Sequence, residues 1–163
     1  MKWARAFGSG LLGGAVMTAI TAIARGMGMP VNLAMMLGTI FGLAPSGAAW
    51  FLGFIVHLVV SGLLGILYGI GFEYVTHRAN AGIGAAFSVA HILIAGLFLG
   101  AMPAIHPLIP GMLNSPGIFL SNLGFAGVAV FVILHLIYGL IVGSAYGAVR
   151  HKPAQRSEAA PAG

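Results

Sequence analysis

Hydrophobic positions run almost unbroken through four stretches of the chain, about residues 6–28, 48–70, 82–102 and 124–147. Each is close to the roughly 20 apolar residues that a helix needs to cross a hydrocarbon core. Polar positions gather between and beyond them. Lys2 and Arg5 precede the first stretch, Glu73, His77 and Arg78 separate the second from the third, and Arg150, His151, Lys152 and Arg156 follow the fourth. The pattern predicts four transmembrane helices in one domain spanning about 1–150. The polar remainder, 151–163, is expected to be a disordered cytoplasmic tail, since it has no apolar period.

The polar clusters also set a topology. Lys and Arg concentrate at both termini and in the middle loop, while the other two loops carry almost none. The positive-inside rule then puts both termini in the cytoplasm of a bacterial inner membrane. Trp3 and Trp50 fall at span ends, where amphipathic rings favour the interface. Residues 1–24 also have the outline of a signal peptide, with a basic start, an apolar centre and a small-residue Ala22–Ala24 site. A later counterpart of this first span favours a helix that stays in the bundle.

Two segments repeat. His57-Leu-Val-Val-Ser61-Gly-Leu-Leu-Gly65-Ile-Leu-Tyr68-Gly69 and His135-Leu-Ile-Tyr-Gly139-Leu-Ile-Val-Gly143-Ser-Ala-Tyr146-Gly147 share one frame, H-L-x-x-[small]-x-x-x-G-x-x-Y-G. Met29-Pro30 and Met102-Pro103 correspond as well, each at the end of the preceding span. Two spans per unit return the chain to its starting side. The fold expected is therefore an all-α, integral membrane four-helix bundle of two parallel two-helix repeats, related by an axis along the membrane normal. The two outer loops, 29–47 and 102–123, are apolar, uncharged and rich in Gly and Pro. Irregular backbone at membrane depth survives where protein buries it or it lines a cavity. Both loops are expected to fold back on the bundle or lie in the interface, with short helices near 31–41 and 116–123.

Composition narrows the chemistry. The chain has 60% hydrophobic and 6% charged residues, against roughly 25% charged in a soluble domain, so lipid is its solvent. Absence of cysteine excludes disulfides, iron–sulfur clusters and thiolate metal sites. The net charge of +5 is spread over termini and one loop, which is not a nucleic-acid footprint. Glu73 and Glu158 are the sole acids, and neither lies in a span. Paired-carboxylate chemistry, Ser–His–Asp catalysis and ordinary cation-coupled transport are thereby disfavoured, and no activity of its own is expected of the chain.

Small residues recur every fourth position: Gly10, Gly14, Thr18 and Ala22; Ser61, Gly65 and Gly69; Gly84 and Ser88; Gly139, Gly143 and Gly147. Such stripes let helix backbones approach closely, and packing is the favoured reading over a groove for a flat cofactor. Tyr68 and Tyr146 are expected as belt residues at the cytoplasmic interface.

The histidines carry the remaining chemistry. His57, His91 and His135 each lie about nine to eleven residues from the outer end of their spans, roughly 14–16 Å deep. Ionisable groups at that depth face the bundle interior and suggest a site, although one hydrogen bond satisfies a neutral imidazole. His57 and His135 suit the axial positions of a haem b, with Arg25 as the sole available propionate partner. His57, His91 and His135 together suit a copper or zinc ion. A gated proton or solute path is the third possibility. Arg25 itself sits at the outer end of span one, against the topological trend, and is expected to snorkel to headgroups.

The glycine-rich first span, the Gly26-Met-Gly-Met-Pro30 sequence and the H-L-x-x-x-G spans ending in Tyr-Gly resemble small four-span bacterial membrane proteins of uncharacterised function. The resemblance covers the chain to about residue 150 and implies a fold without an activity. The function expected is a non-enzymatic subunit packing into a larger membrane complex, respiratory or otherwise redox, with a haem or metal at the midplane. The alternative is a small homo-oligomeric channel or transporter for a metal ion or neutral solute. Partners are the bilayer and other membrane subunits or copies of itself.

Overall fold

The computed structural model describes residues 1–149. The expected tail, 151–163, lies outside the described residues. The chain is all-helical: α1 (Trp3–Gly26), α2 (Leu33–Thr39), α3 (Gly47–Tyr74), α4 (Ala81–Ile105), a 3₁₀ turn (Ile118–Leu123) and α5 (Gly124–Tyr146). Helices α1, α3 and α4, and the continuous stretch Ile118–Tyr146 containing α5, are each long and apolar enough to cross a membrane. The protein is a four-helix bundle of multi-pass type, with α2 as a short cap over the end opposite the chain termini.

Local sequence explains where helices begin. The side chains of Asn32, Ser46 and Asn80 accept hydrogen bonds from the backbone N–H of Met35, Ala49 and Ile83, closing the first turns of α2, α3 and α4. Helix α4 runs past Pro103 to Ile105, further than the sequence suggests. Pro103 lacks one donor near the helix end, and its ring-fixed φ is compatible with a last helical turn. The chain turns extended only at His106. The two short helices expected in the loops are present, the second as a 3₁₀ turn with Phe119 and Leu120 at positive φ.

The duplication is visible in how the helices meet. In the first unit, a Cβ on Gly10 of α1 would overlap the Ser61 carbonyl of α3. In the second, a Cβ on Gly84 of α4 would overlap the Gly139 carbonyl of α5. Gly65 faces the Ala6 carbonyl, and Gly143 faces the Asn80 carbonyl. The two units thus share one seam geometry, with an offset of 74 residues in α1/α4 and 78 in α3/α5. The small-residue stripes are occupied by the backbone of the neighbouring helix inside the chain.

The pairing between units is unequal. Helix α1 packs closely on α5, while α3 and α4, its counterparts, make little backbone contact. Side-chain volume accounts for this. Gly13 admits the Tyr138 ring at the α1–α5 contact. Between α3 and α4, by contrast, Phe72 stacks on Phe87 at 5.5 Å and Tyr68 meets Phe87 edge-on at 6.0 Å. Those rings hold the two helices apart.

Two apolar cores result. One, toward the termini, includes Tyr68, Phe72, Leu134, Tyr138, Val142 and Tyr146. The other, under the cap, joins Val31 and Met36 to Leu99, Met102, Leu120 and Phe131. The cap is held by close backbone approach, since Gly38 faces the Ala49 carbonyl and Gly53 faces the Ala34 carbonyl. Its fastening is His106. The imidazole Nε2 donates to the Met36 carbonyl at 2.9 Å, and Nδ1 accepts from the Leu108 N–H at 3.1 Å.

Candidate functional site

The midplane histidines lie between the two apolar cores. His91 and His135 are buried, and their rings meet edge-to-face with centroids 4.7 Å apart. Contact between rings from antiparallel helices puts both at one depth, as the residue counts predict. His57 is half-buried and turns instead to α1, where its Nδ1 lies 2.9 Å from the Thr18 hydroxyl oxygen.

The repeat explains the difference. By the seam offset, Met17 and Thr18 of α1 correspond to His91 and Ile92 of α4. The first unit therefore offers His57 a hydroxyl, and the second offers His135 another imidazole. Repeat-related histidines have different neighbours because the preceding helices diverged at these two positions.

The hydrogen bonds fix the protons. The Thr18 hydroxyl donates to the Gly14 carbonyl at 3.0 Å, so its oxygen accepts from the His57 Nδ1–H. His135 Nδ1 lies 2.7 Å from the Phe131 carbonyl, which can only accept, so this nitrogen also carries a proton. Both rings then present an unprotonated Nε2. His91 Nδ1 is 3.4 Å from the Tyr68 hydroxyl, which lies 3.3 Å from Ser88 Oγ. Ser88 in turn donates to the His135 carbonyl at 2.9 Å. All three imidazoles thus use Nδ1 within the bundle, and among the described residues none has a hydrogen-bonding partner at Nε2.

Around them stands a ring of aromatic side chains. Tyr138 lies 5.1 Å from His91 and 5.6 Å from Tyr68, edge-on to both. Phe131 lies 4.2 Å from His135. The Tyr138 hydroxyl donates to the Ser61 carbonyl at 2.5 Å. Among the described residues, every side-chain nitrogen or oxygen fully shut off from the surface has a partner, so the unpartnered Nε2 atoms keep some access to it.

Tyr68 and Tyr146 are not belt residues. Both are buried and point into the bundle, Tyr68 toward Ser88 and His91, Tyr146 toward Glu73, whose Oε1 accepts its hydroxyl at 2.5 Å. The sequence positions them at the right depth for a belt. However, their face is the small-residue face, which packing turns inward. The phenol hydroxyls then find partners inside. Tyr138, Thr18, Ser88 and His106 belong to the polar interior and were not singled out by spacing as site residues. The seam offset, which aligns Ser88 with Gly14, is the signal that leads to Ser88.

The cofactor expectations meet this geometry unevenly. Arg25 is exposed in the last turn of α1, seven residues beyond Thr18 or roughly 10 Å further along the axis. It is not brought to the imidazoles. The glycine stripes that would make room for a macrocycle are filled by opposing backbone. Among the described residues, no three His, Asp or Glu side chains are grouped to hold one metal ion. Two shallow concavities lie away from the histidines, one lined by Lys2, Trp3, Ala4 and Arg5 and one by Leu12, Leu140, Ile141, Ser144 and Ala145.

Comparison with protein-family models, curated proteins and solved structures yields no match to this chain.

Proposed function

We propose that the chain is a non-enzymatic integral subunit of a larger membrane assembly, inserted in a bacterial inner membrane with both termini cytoplasmic. The observation that carries this reading is the uncharged, irregular surface at the cap end. Residues 106–117 run without regular structure beside α2. Met27, Phe41, Met112 and Phe125 are exposed there, Phe125 to 89%. Among the described residues, Arg25 is the one charged residue near this end. Non-helical backbone bearing large apolar side chains is stable at membrane depth when protein covers it. The interior supports the non-enzymatic half of the reading. Glu73, the one carboxylate among the described residues, bonds Tyr146 at the terminus end, so the imidazoles have no acidic partner.

Photo-crosslinking in native membranes tests the proposal. A photoreactive residue at Phe125 or Met112 is expected to give a protein–protein adduct, and one at lipid-facing Leu63 none. Lipid adducts alone at all three positions would refute it.

A second reading is favoured by the three Nε2 atoms. An imidazole that ligates a metal through Nε2 commonly donates Nδ1–H to a carbonyl or hydroxyl, as His135 and His57 do. Copper or zinc would draw on these nitrogens once His57 rotates from Thr18 toward the other two rings. Metal analysis and an absorption spectrum of the purified protein decide it. Bound metal lost in His91→Ala and His135→Ala supports this reading, and metal-free, colourless protein ends it.

A further inference from the structure

Two shallow depressions that the midplane chemistry does not use lie near each other, one at the start of α1 and one between α1 and α5. The first, about 310 Å³, is lined by Lys2, Trp3, Ala4 and Arg5 at the terminus end. The second, about 440 Å³, is an apolar groove lined by Leu12 of α1 and by Leu140, Ile141, Ser144 and Ala145 of α5. Arg5 and Leu12 are seven residues apart, which places them on one face of α1 and separates them by roughly 10 Å along the axis. Leu140 and Ser144 follow each other down one face of α5, and Gly147 lies just beyond the helix end. The Arg5 guanidinium lies beside Gly147, so the seam continues from the groove to the basic end.

The basic end has spare positive charge. Lys2 Nζ donates to the Ala148 carbonyl and sits 5.7 Å above the Tyr146 ring. An ammonium has three donors, so two are uncommitted among the described residues. Arg5 is exposed. Glu73, the one carboxylate among the described residues, accepts from Tyr146 and keeps its charge, so Lys2 and Arg5 together exceed it by one positive charge. Trp3 is 58% exposed at the first turn of α1, at the level where indole rings settle among headgroups.

We infer that this seam binds one anionic phospholipid, its phosphate held by Lys2 and Arg5 and one acyl chain lying in the Leu12–Leu140 groove. Charge complementarity selects an anionic headgroup over a zwitterionic one. The apolar groove beyond it selects a lipid over a free phosphate. Neither part alone would make a lipid site; their alignment on one face of each helix does.

The test is thermal unfolding of the full chain in neutral detergent with added lipid. Short-chain phosphatidylglycerol is expected to raise the unfolding temperature more than short-chain phosphatidylcholine. Glycerol phosphate, which lacks acyl chains, should give no shift. The double variant Lys2→Gln/Arg5→Gln should lose the difference between the two lipids. Ser144→Phe, which fills the groove and leaves the charges, should also lose it. Equal shifts with both lipids, or a phosphatidylglycerol shift that survives the double variant, would overturn the proposal. A matching shift with glycerol phosphate would make this a free-phosphate site and overturn the lipid assignment. Should a variant fail to fold, native mass spectrometry of the unaltered protein in a mixture of the two lipids gives the same answer. Retention of phosphatidylglycerol in preference to phosphatidylcholine supports the site, and retention in proportion to the mixture refutes it.

Discussion

The hydroxyl of Tyr138 on α5 donates to the carbonyl oxygen of Ser61 on α3 at 2.5 Å, while the ring of the same tyrosine lies against Gly13 of α1. One side chain thereby ties three spans together near the membrane midplane. The ring and the hydroxyl contribute unequally. Interhelical hydrogen bonds in membranes average about 0.6 kcal/mol, whereas truncating a buried aromatic ring costs about 3–5 kcal/mol. Tyr138→Phe is expected to lower stability by less than about 1 kcal/mol, and Tyr138→Ala by several times that. Reversible unfolding in mixed micelles gives both values. Equal losses would mean that the hydrogen bond, not the ring, organises the contact.

The glycine seams give a sharper contrast. A methyl group at Gly84 would meet the Gly139 carbonyl, and one at Gly10 would meet the Ser61 carbonyl; backbone cannot move aside as a side chain can. Gly8, on the same helix as Gly10, has open space around it. Gly84→Ala and Gly10→Ala should each cost about 1–3 kcal/mol or more through forced separation of the helices. Gly8→Ala should be neutral or slightly stabilising, since alanine is the better helix former in soluble hosts. The same unfolding assay applies, and a destabilised Gly8→Ala would show that the loss does not come from the seam.

How much of this was legible in the sequence follows from which forces are periodic. The four spans rest on runs of apolar residues, and the seams on small residues every fourth position. Both patterns repeat along the chain and can be read without coordinates. The shared depth of His91 and His135 follows in the same way, from counting turns. What the sequence did not disclose depends on which neighbour a face meets. Tyr68 and Tyr146 have belt-like depth, yet their hydroxyls turn to Ser88 and Glu73. The close α1–α5 contact and the loose α3–α4 contact depend on ring volume at Tyr138, Phe72 and Phe87, which no spacing rule reports. His57 and His135 share a frame, but residues 17–18 and 91–92 on other helices decide their partners.

The second unit contains a pair that tests its own seam. Ser88 on α4 faces Gly139 on α5, whereas in the first unit the glycine is Gly14 on α1 and the serine is Ser61 on α3. The hydroxyl therefore sits on opposite helices in the two units. A Cβ on Gly139 would collide with Ser88 Oγ and with the Gly84 carbonyl, so Gly139→Ser alone should be strongly destabilising. Ser88→Gly alone removes the bond to the His135 carbonyl and should cost about 1 kcal/mol plus the helix cost of glycine. Combining them puts the serine on α5, as in the first unit, and removes the collision with Ser88 while leaving that with the Gly84 carbonyl. The double variant should be more stable than Gly139→Ser alone, with a coupling energy of about 1–3 kcal/mol. Strict additivity in the double-mutant cycle would show that the Gly84 carbonyl, not the Ser88 hydroxyl, sets the cost of Gly139→Ser.

His106 makes a local rather than a global prediction. Its ring joins the segment after α4 to α2 through the Met36 carbonyl and the Leu108 N–H, and it approaches the Thr39 hydroxyl at 3.2 Å. Only an imidazole with its proton on Nε2 serves both ends, since Leu108 needs an acceptor at Nδ1 and Met36 needs a donor. His106→Ala takes away the acceptor of the Leu108 N–H, at about 1–3 kcal/mol if that group is left unpaired, while the Met36 carbonyl keeps the Thr39 hydroxyl at 3.3 Å. The spans themselves are held elsewhere, by the seams and the core toward the termini. Hydrogen exchange should therefore quicken at the amides of Leu37–Thr39 and at Leu108, while the amides of α1 around Gly14 keep their protection. Faster exchange throughout all four spans would instead make the cap a condition for the whole bundle.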